Sequence, residues 1–73
     1  MTAPIGAVVA IAYASDDDVR VGDVLRTRTG RAYLVIDAVR ARARWRLRCV
    51  VVDNVQPGAR VLPLVWDRRR RND

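Results

Sequence analysis

The stretch that decides the fold is RWRLRCVVV, residues 44–52. From Trp45 to Val51 every second residue is apolar or a thiol, and the residues between them begin with Arg46 and Arg48. In a β-strand, successive side chains point to opposite faces, so this alternation gives one apolar face and one arginine face. A helix would scatter the arginines around its circumference and bury several of them. The stretch therefore predicts a half-buried strand.

Outward from this strand the pattern stays β. We expect a strand over 24–28, a tight turn over Thr29-Gly30-Arg31 and a second strand over 32–39. Because residues 32–39 are nearly continuously apolar, we expect this strand at the centre of the sheet. The segment 37–44 contains no Gly, Pro or Asn, and its Ala-Arg-Ala-Arg sequence has good helix propensity. A continuous helix over 37–49 is therefore the structural alternative.

Toward the C-terminus, Gln56-Pro57-Gly58 predicts a turn, because Pro presets φ and Gly tolerates a positive φ. Residues 60–67 predict a last strand, and Pro63 confines it to an edge or a bulge. The arginines from 68 onward predict a solvated basic tail over 68–73.

The N-terminal segment 4–14 is an apolar run of eleven residues. No basic residue precedes it, as a signal peptide would require, and it is short of the roughly 20 residues that span a bilayer as a helix. We expect residues 5–13 to form a buried strand or a subunit contact, with a short helix as the alternative. With a single cysteine and no signal peptide, a bacterial cytoplasm is the expected compartment.

Spacings of about ten residues between strands are typical of small β folds. We therefore predict a mostly β protein, either a small SH3-like barrel or a strongly bent antiparallel sheet of 4–5 strands. Its 73 residues form a single domain, with 1–14 as the N-terminal strand or contact segment.

Composition argues against catalysis. The chain has no histidine and one cysteine, which excludes a Cys/His zinc cluster, a Cys–His dyad, a Ser–His–Asp triad and an internal disulfide. The aspartates at 16–18 lack the alternation of a Ca²⁺ loop and predict a solvated turn. Cys49 falls on the apolar face, where a thiol acts as a small hydrophobe. We expect no enzymatic activity, no cofactor and no metal.

The net charge of +6 is unevenly placed. Every basic residue is arginine, and residues 26–52 hold eight arginines against the single acid Asp37. A GC-rich genome explains the choice of arginine over lysine, but not this placement. The asymmetry is an electrostatic indication of a partner.

Two longer stretches of the sequence resemble known groups of proteins. Val21-Gly22-Asp23-Val24-Leu25, followed by Gly30 and Tyr33-Leu34-Val35, resembles the opening of SH3-like barrels such as KOW modules. Those modules usually carry a further glycine where this chain has Ala38. The run GDVLRTRTGRAYLVI, then WRLRCVV and W-D-R-R, resembles short uncharacterised proteins of actinobacterial phages. This second resemblance implies a phage accessory protein.

The candidate binding residues are arginines on or near the strand 44–52. Arg40, Arg42, Arg44, Arg46 and Arg48 are predicted to form a five-arginine ladder along one strand face. Arg26, Arg28 and Arg31 of the neighbouring hairpin would extend this ladder into a continuous stripe. We expect them to bind a host or phage protein; sequence-independent binding of nucleic acid phosphates is the alternative, and a face that only keeps the sheet soluble is the simplest reading.

The apolar N-terminal segment predicts a homo-oligomer, because it would leave a large apolar patch on so small a monomer. The predicted contacts are Val9, Ile11 and Tyr13, or their even-numbered neighbours. Trp45 and Trp66 each have apolar neighbours two positions away, which favours core packing; an interface anchor is the alternative.

Overall fold

Five strands form one mixed sheet in the computed structural model, which describes residues 4–14, 18–42 and 44–64. The strands are β1 (Val8–Tyr13), β2 (Val24–Arg26), β3 (Ala32–Ala41), β4 (Arg44–Val52) and β5 (Val61–Pro63). Their order across the sheet is β1-β4-β3-β2-β5. The prediction of a mostly β protein is confirmed, and the described residues contain no helix. The alternative of a helix over 37–49 is wrong, because β3 and β4 pair as a hairpin through this region.

The pairing of the strands differs from the predicted antiparallel sheet at one place. β1–β4, β4–β3 and β3–β2 are antiparallel, whereas β5 runs parallel to β2. The predicted central strand, β3, does lie in the middle of the order, and β5 with Pro63 does lie at an edge. β5 is shorter than expected, and residues 65–67 of the predicted strand lie outside the described residues.

One face of the sheet carries the hydrophobic core. Leu47 and Cys49 of β4 pack there beside Leu25 of β2 and Val35 of β3, all with almost no exposed surface. The same cluster includes Ile11, Tyr13, Val19, Tyr33, Trp45, Val51 and Leu64. The predicted inward placement of Cys49 and Trp45 is therefore confirmed; Trp66 lies outside the described residues.

A hydrogen bond joins the two edge strands. The Tyr13 hydroxyl of β1 donates to the carbonyl oxygen of Pro63 in β5 at 2.6 Å. In a flat sheet, four interstrand spacings would separate these strands by about 19 Å, far beyond the reach of a tyrosine side chain. The sheet is therefore strongly bent around its core.

A β-bulge at Ile36 decides which face each later residue of β3 occupies. Val35 pairs with Cys49, but the next pair along the ladder is Asp37 with Arg48, so Ile36 is the extra residue. An extra residue shifts the alternation of faces by one position. From Asp37 onward the odd-numbered residues of β3 face away from the core, and Ala38 and Arg40 face the core side.

The two predicted glycine turns are present. Ala59 N donates to the Gln56 carbonyl oxygen at 3.1 Å around Pro57-Gly58, and Gly58 has a φ of 83°. A positive φ at this third position is the requirement of a type II turn. Gly30 likewise has a φ of 95°, and its N–H donates to the Thr27 carbonyl oxygen at 3.0 Å.

The β3–β4 hairpin turns without glycine. Ala41 pairs with Arg44, which leaves a two-residue connection that begins with Arg42 at a φ of 55°. Such connections require left-handed backbone, which Asn and Gly adopt most easily. Arg42 adopts it against its intrinsic preference, at a cost of about 1–2 kcal/mol.

Arg42→Gly is therefore expected to stabilise the protein by about 0.5–1 kcal/mol, because glycine adopts a positive φ without a steric penalty. The measurement is the free energy of unfolding in urea. The matched control is Arg44→Gly, which removes the same charge two residues further along. Because glycine weakens a strand, this control is expected to lower the stability by about 0.5–1 kcal/mol. If both variants lost stability equally, Arg42 would not be strained.

Candidate binding face

Three arginines stand in line on the sheet face opposite the core, which we call the outer face. Arg44, Arg46 and Arg48 alternate along β4, and all three are exposed. Alternate residues of a strand lie about 6.6–6.8 Å apart. These three residues, the arginine row, occupy a strand that has β1 on one side and β3 on the other.

The neighbours of the arginine row are short side chains. They are Ala10 and Ala12 on β1, and Asp37, Val39 and Ala41 on β3. Arg46, for example, lies between Ala12 and Val39. Because these neighbours are small, the long guanidinium side chains extend beyond the surface around them.

The hairpin end of the row borders a shallow open hollow of about 530 Å³. Its lining is Ala12, Ala41, Arg42, Arg44 and Arg46. Three cationic side chains around two alanines leave space that an anionic group could occupy, with several guanidinium donors at its rim.

The arginine row forms no ion pair with any residue in the described ranges. The ion pairs found there are Arg40 with Asp18 at 3.8 Å and Arg60 with Asp23 at 3.9 Å. Asp37 lies directly across from Arg48 in the ladder, yet the two side chains do not approach within ion-pair distance. The positive charge of the row is therefore uncompensated within this part of the chain.

The other half of the outer face is apolar. Val8, Val50 and Leu34 lie side by side across β1, β4 and β3. Val8 is 53% exposed, and Val39, beside the arginine row, is 52% exposed. The outer face thus combines arginines that form no ion pair in the described part of the chain with exposed aliphatic side chains.

Arg40 does not belong to this face, contrary to the predicted five-arginine ladder. It pairs with Trp45 on the core side, where its guanidinium lies 5.8 Å from the centre of the indole ring. The bulge at Ile36 is the reason, because it moves Arg40 to the opposite face from the one its sequence position suggests. Arg40 therefore covers one end of the core. Arg42 lies in the hairpin and reaches the face only at the hollow.

The arginines of the β2–β3 hairpin do not extend the row. Arg26 and Arg28 are exposed, but the whole of β3 separates β2 from β4. Arg31 is half-buried, its Nε donates to the Tyr33 hydroxyl at 3.2 Å, and its guanidinium lies 6.0 Å from that ring. The predicted continuous stripe of arginines across both hairpins is not formed.

The N-terminal strand turns its odd-numbered residues inward. Ile11 and Tyr13 are 6% and 9% exposed, and Val9 is half-buried against the core. Their side chains are occupied within the monomer, so the predicted contact through these three cannot use them as a free surface. The even-numbered neighbours Val8, Ala10 and Ala12 are the exposed set.

No sequence pattern indicates the pair formed by Asp23 and Arg60. Asp23 is the one buried charged residue in the described ranges; its carboxylate accepts a hydrogen bond from Arg20 N at 2.9 Å. Arg60 lies 3.9 Å from the same carboxylate, and its Nη2 donates to the Asp18 carbonyl oxygen at 2.7 Å. These contacts tie the turn before β2 to the segment before β5, which is a structural role.

Cys49 is fully buried between Leu47 and Val51 on β4. Loss of solvation raises the pKa of the thiol from its ordinary value of 9.0 to about 11. The thiolate, which is the reactive form, is therefore scarce at neutral pH.

We expect Cys49 to react slowly with a thiol reagent in the native protein and rapidly in denaturant, since unfolding both exposes the thiol and restores its ordinary pKa. The raised pKa also means that the contribution of Cys49 to stability is constant below about pH 9 and falls between about pH 9 and 11, where only the unfolded thiol ionises. The measurement is the rate of thiol modification with and without urea. Equal rates would contradict the inward position of Cys49.

No group of three or more Cys, Asp or Glu side chains that could hold a metal ion occurs in the described part of the chain. Asp16 and Asp17 of the predicted solvated turn lie outside it, as does the basic tail. Among the described residues no helix is long and apolar enough to cross a membrane.

The described residues thus form a small β structure, with a strongly bent five-stranded sheet and an arginine-lined, partly apolar outer face. No protein-family model matches the chain, and no curated protein or solved structure matches it significantly.

Proposed function

We propose that this chain is a non-enzymatic accessory protein of an actinobacterial phage that binds a host or phage protein in the host cytoplasm. The observation that carries the proposal is the outer face, where the arginine row has no ion-pair partner among the described residues and lies beside exposed Val8 and Val39. Arginine and apolar side chains together are typical of the centre of protein–protein interfaces.

Size supports a single interface on this face. Three strands of six to ten residues cover an area about 14 Å wide and up to about 30 Å long. A patch of this extent, with its long arginine side chains, suits the smaller class of protein interfaces. The partner would bring carboxylates to the row and apolar side chains to Val8, Val50 and Leu34.

The phage origin rests on the resemblance of residues 20–70 and on a composition with arginine in place of every lysine. The strongly bent, mostly β sheet is compatible with the SH3-like architecture that the sequence suggests. We also propose that the protein is a homo-oligomer, since the exposed set on β1 is apolar and uncharged.

Sequence-independent binding of nucleic acid is the second candidate. It is favoured by the in-line spacing of the arginine row, which is close to that of successive phosphates, and by the hollow bordered by Arg42, Arg44 and Arg46. It leaves the exposed valines beside the row without a role, which is why the protein partner comes first.

The test is an affinity capture from actinobacterial lysate, run with and without nuclease, using the wild type and the variant Arg44→Ser/Arg46→Ser/Arg48→Ser. We expect the wild type to retain a defined protein after nuclease treatment and the variant to lose it. Capture that nuclease abolishes would instead support nucleic acid. Equal capture by both proteins would contradict any role of the outer face.

A further inference from the structure

Among the described residues β1 is an edge strand of the sheet, and from Val8 to Tyr13 it carries none of the features that prevent edge pairing. Its sequence, VVAIAY, has no charge and no proline, and its ladder with β4 runs without a bulge from Val8 to Tyr13. Natural proteins normally protect an exposed edge with charges, prolines or bulges, because its free backbone groups can pair with another chain.

The hydrogen-bond phase shows which backbone groups of β1 have no partner among the described residues. Val51 N donates to the Ala7 carbonyl oxygen at 2.9 Å, and Gly6 N donates to the Val51 carbonyl oxygen at 2.8 Å, so both backbone groups of Val51 bond to the chain just before β1. In an antiparallel ladder hydrogen-bonded pairs alternate with pairs that are not hydrogen-bonded, so Val9, Ile11 and Tyr13 bond to β4. The N–H and C=O groups of Val8, Ala10 and Ala12 therefore point toward the open edge.

We infer that a second copy of this chain pairs antiparallel with β1 about a two-fold axis at Ala10. Ala10 then lies opposite the second copy's Ala10, and Val8 lies opposite the second copy's Ala12. Every residue whose backbone groups face the edge becomes a member of a hydrogen-bonded pair, which forms two hydrogen bonds. The register is self-complementary, as an isologous contact requires.

Side chains and charge fit this arrangement. On the outer face, where the even-numbered residues of β1 are exposed, Val8 comes beside the second copy's Ala12, and both side chains are small and uncharged. Residues 4–14 contain no charged residue, so two copies of a protein with net charge +6 approach at their least repulsive edge. The two arginine rows stay three interstrand spacings apart, about 14 Å, which exceeds the screening length of about 8 Å at physiological salt.

The pairing changes the binding face. The outer faces of the two copies become one continuous surface. Alanines of β1 and its copy lie along the middle of this surface, and one arginine row lies on each side of them. A partner with two acidic segments could then contact both rows, and the second contact would be intramolecular. The inference rests on the proposed self-association and does not depend on the identity of the partner.

The test is sedimentation at tens of micromolar with three variants whose folding is followed by circular dichroism. Ala10→Lys places like charges face to face at the two-fold axis, and Ala10→Pro removes an N–H that β4 does not use. Val39→Lys is the control, because it adds the same charge to the same face away from the edge. We expect a dimer for the wild type and Val39→Lys, and monomers for both Ala10 variants.

A monomeric wild type, or a dimer that survives both Ala10 substitutions, would overturn the inference. Partner capture by Ala10→Pro, which adds no charge to the outer face, separates the inference from the proposed function. A monomer that still captures the partner, with lower avidity, supports β1 pairing and the arginine row together. A triple arginine variant that remains dimeric but captures nothing would confirm that the two properties reside in different strands.

Discussion

Leu47→Ala is expected to lower the free energy of unfolding by about 2–5 kcal/mol, the usual range when a fully buried leucine is truncated. Leu47 is 1% exposed and lies in the middle of β4, with Ile11 of β1 on one side and Ala38 of β3 on the other. Small domains are stabilised by roughly 5–15 kcal/mol in total, so the loss is a large fraction of the whole.

Urea unfolding followed by tryptophan fluorescence measures this effect. Val39→Ala is the control: it also truncates an aliphatic side chain of the same sheet, but on the outer face, where 52% of Val39 is exposed. Its expected cost is under about 0.5 kcal/mol. Similar losses in both variants would mean that the core does not lie on the Leu47 side of the sheet.

Replacing the arginine row by serine is expected to weaken partner binding by about 100-fold, which corresponds to about 2.7 kcal/mol. Hot-spot residues, among which arginine is enriched, cost about 2 kcal/mol or more each when truncated, although such losses are not additive. Stability should change little, because all three side chains are exposed and form no ion pair within the described residues.

The matched control is Arg20→Ser/Arg26→Ser/Arg28→Ser, which removes the same charge from exposed positions outside the arginine row. Partner binding should fall in the row variant alone. In a titration against duplex DNA at two salt concentrations, the two triple variants should weaken binding equally, because only net charge then matters.

If the row variant weakened duplex DNA binding more than the control did, sequence-independent nucleic-acid binding would be favoured. If the row contacts phosphates, the slope of log affinity against log salt should shrink by about 2.7 in the row variant and by much less in the control. If the row variant instead unfolded, the arginines would be structural, and the assignment of the outer face as a binding surface would be wrong.

The sequence by itself determined β4 and the parts of the fold that depend on local patterns. The strand 44–52 has the predicted bounds, and Cys49 and Trp45 face the core. Strict alternation of arginine with apolar residues allows only one orientation of a half-buried strand, since the reverse would bury the arginines. Pro63 fixed an edge strand and Gly58 a turn for equally local reasons.

Only the tertiary structure decided the composition of the outer face. In β1 both sets of alternating residues are apolar, so no pattern could show that Ile11 and Tyr13 face inward and Ala10 outward. Arg40 faces the core side and not the outer face because of the bulge at Ile36. The position of this bulge depends on how β3 pairs with β4. Arg42 turns the hairpin with a left-handed backbone that its own preference opposes, because pairing of the long strands on either side outweighs that local cost.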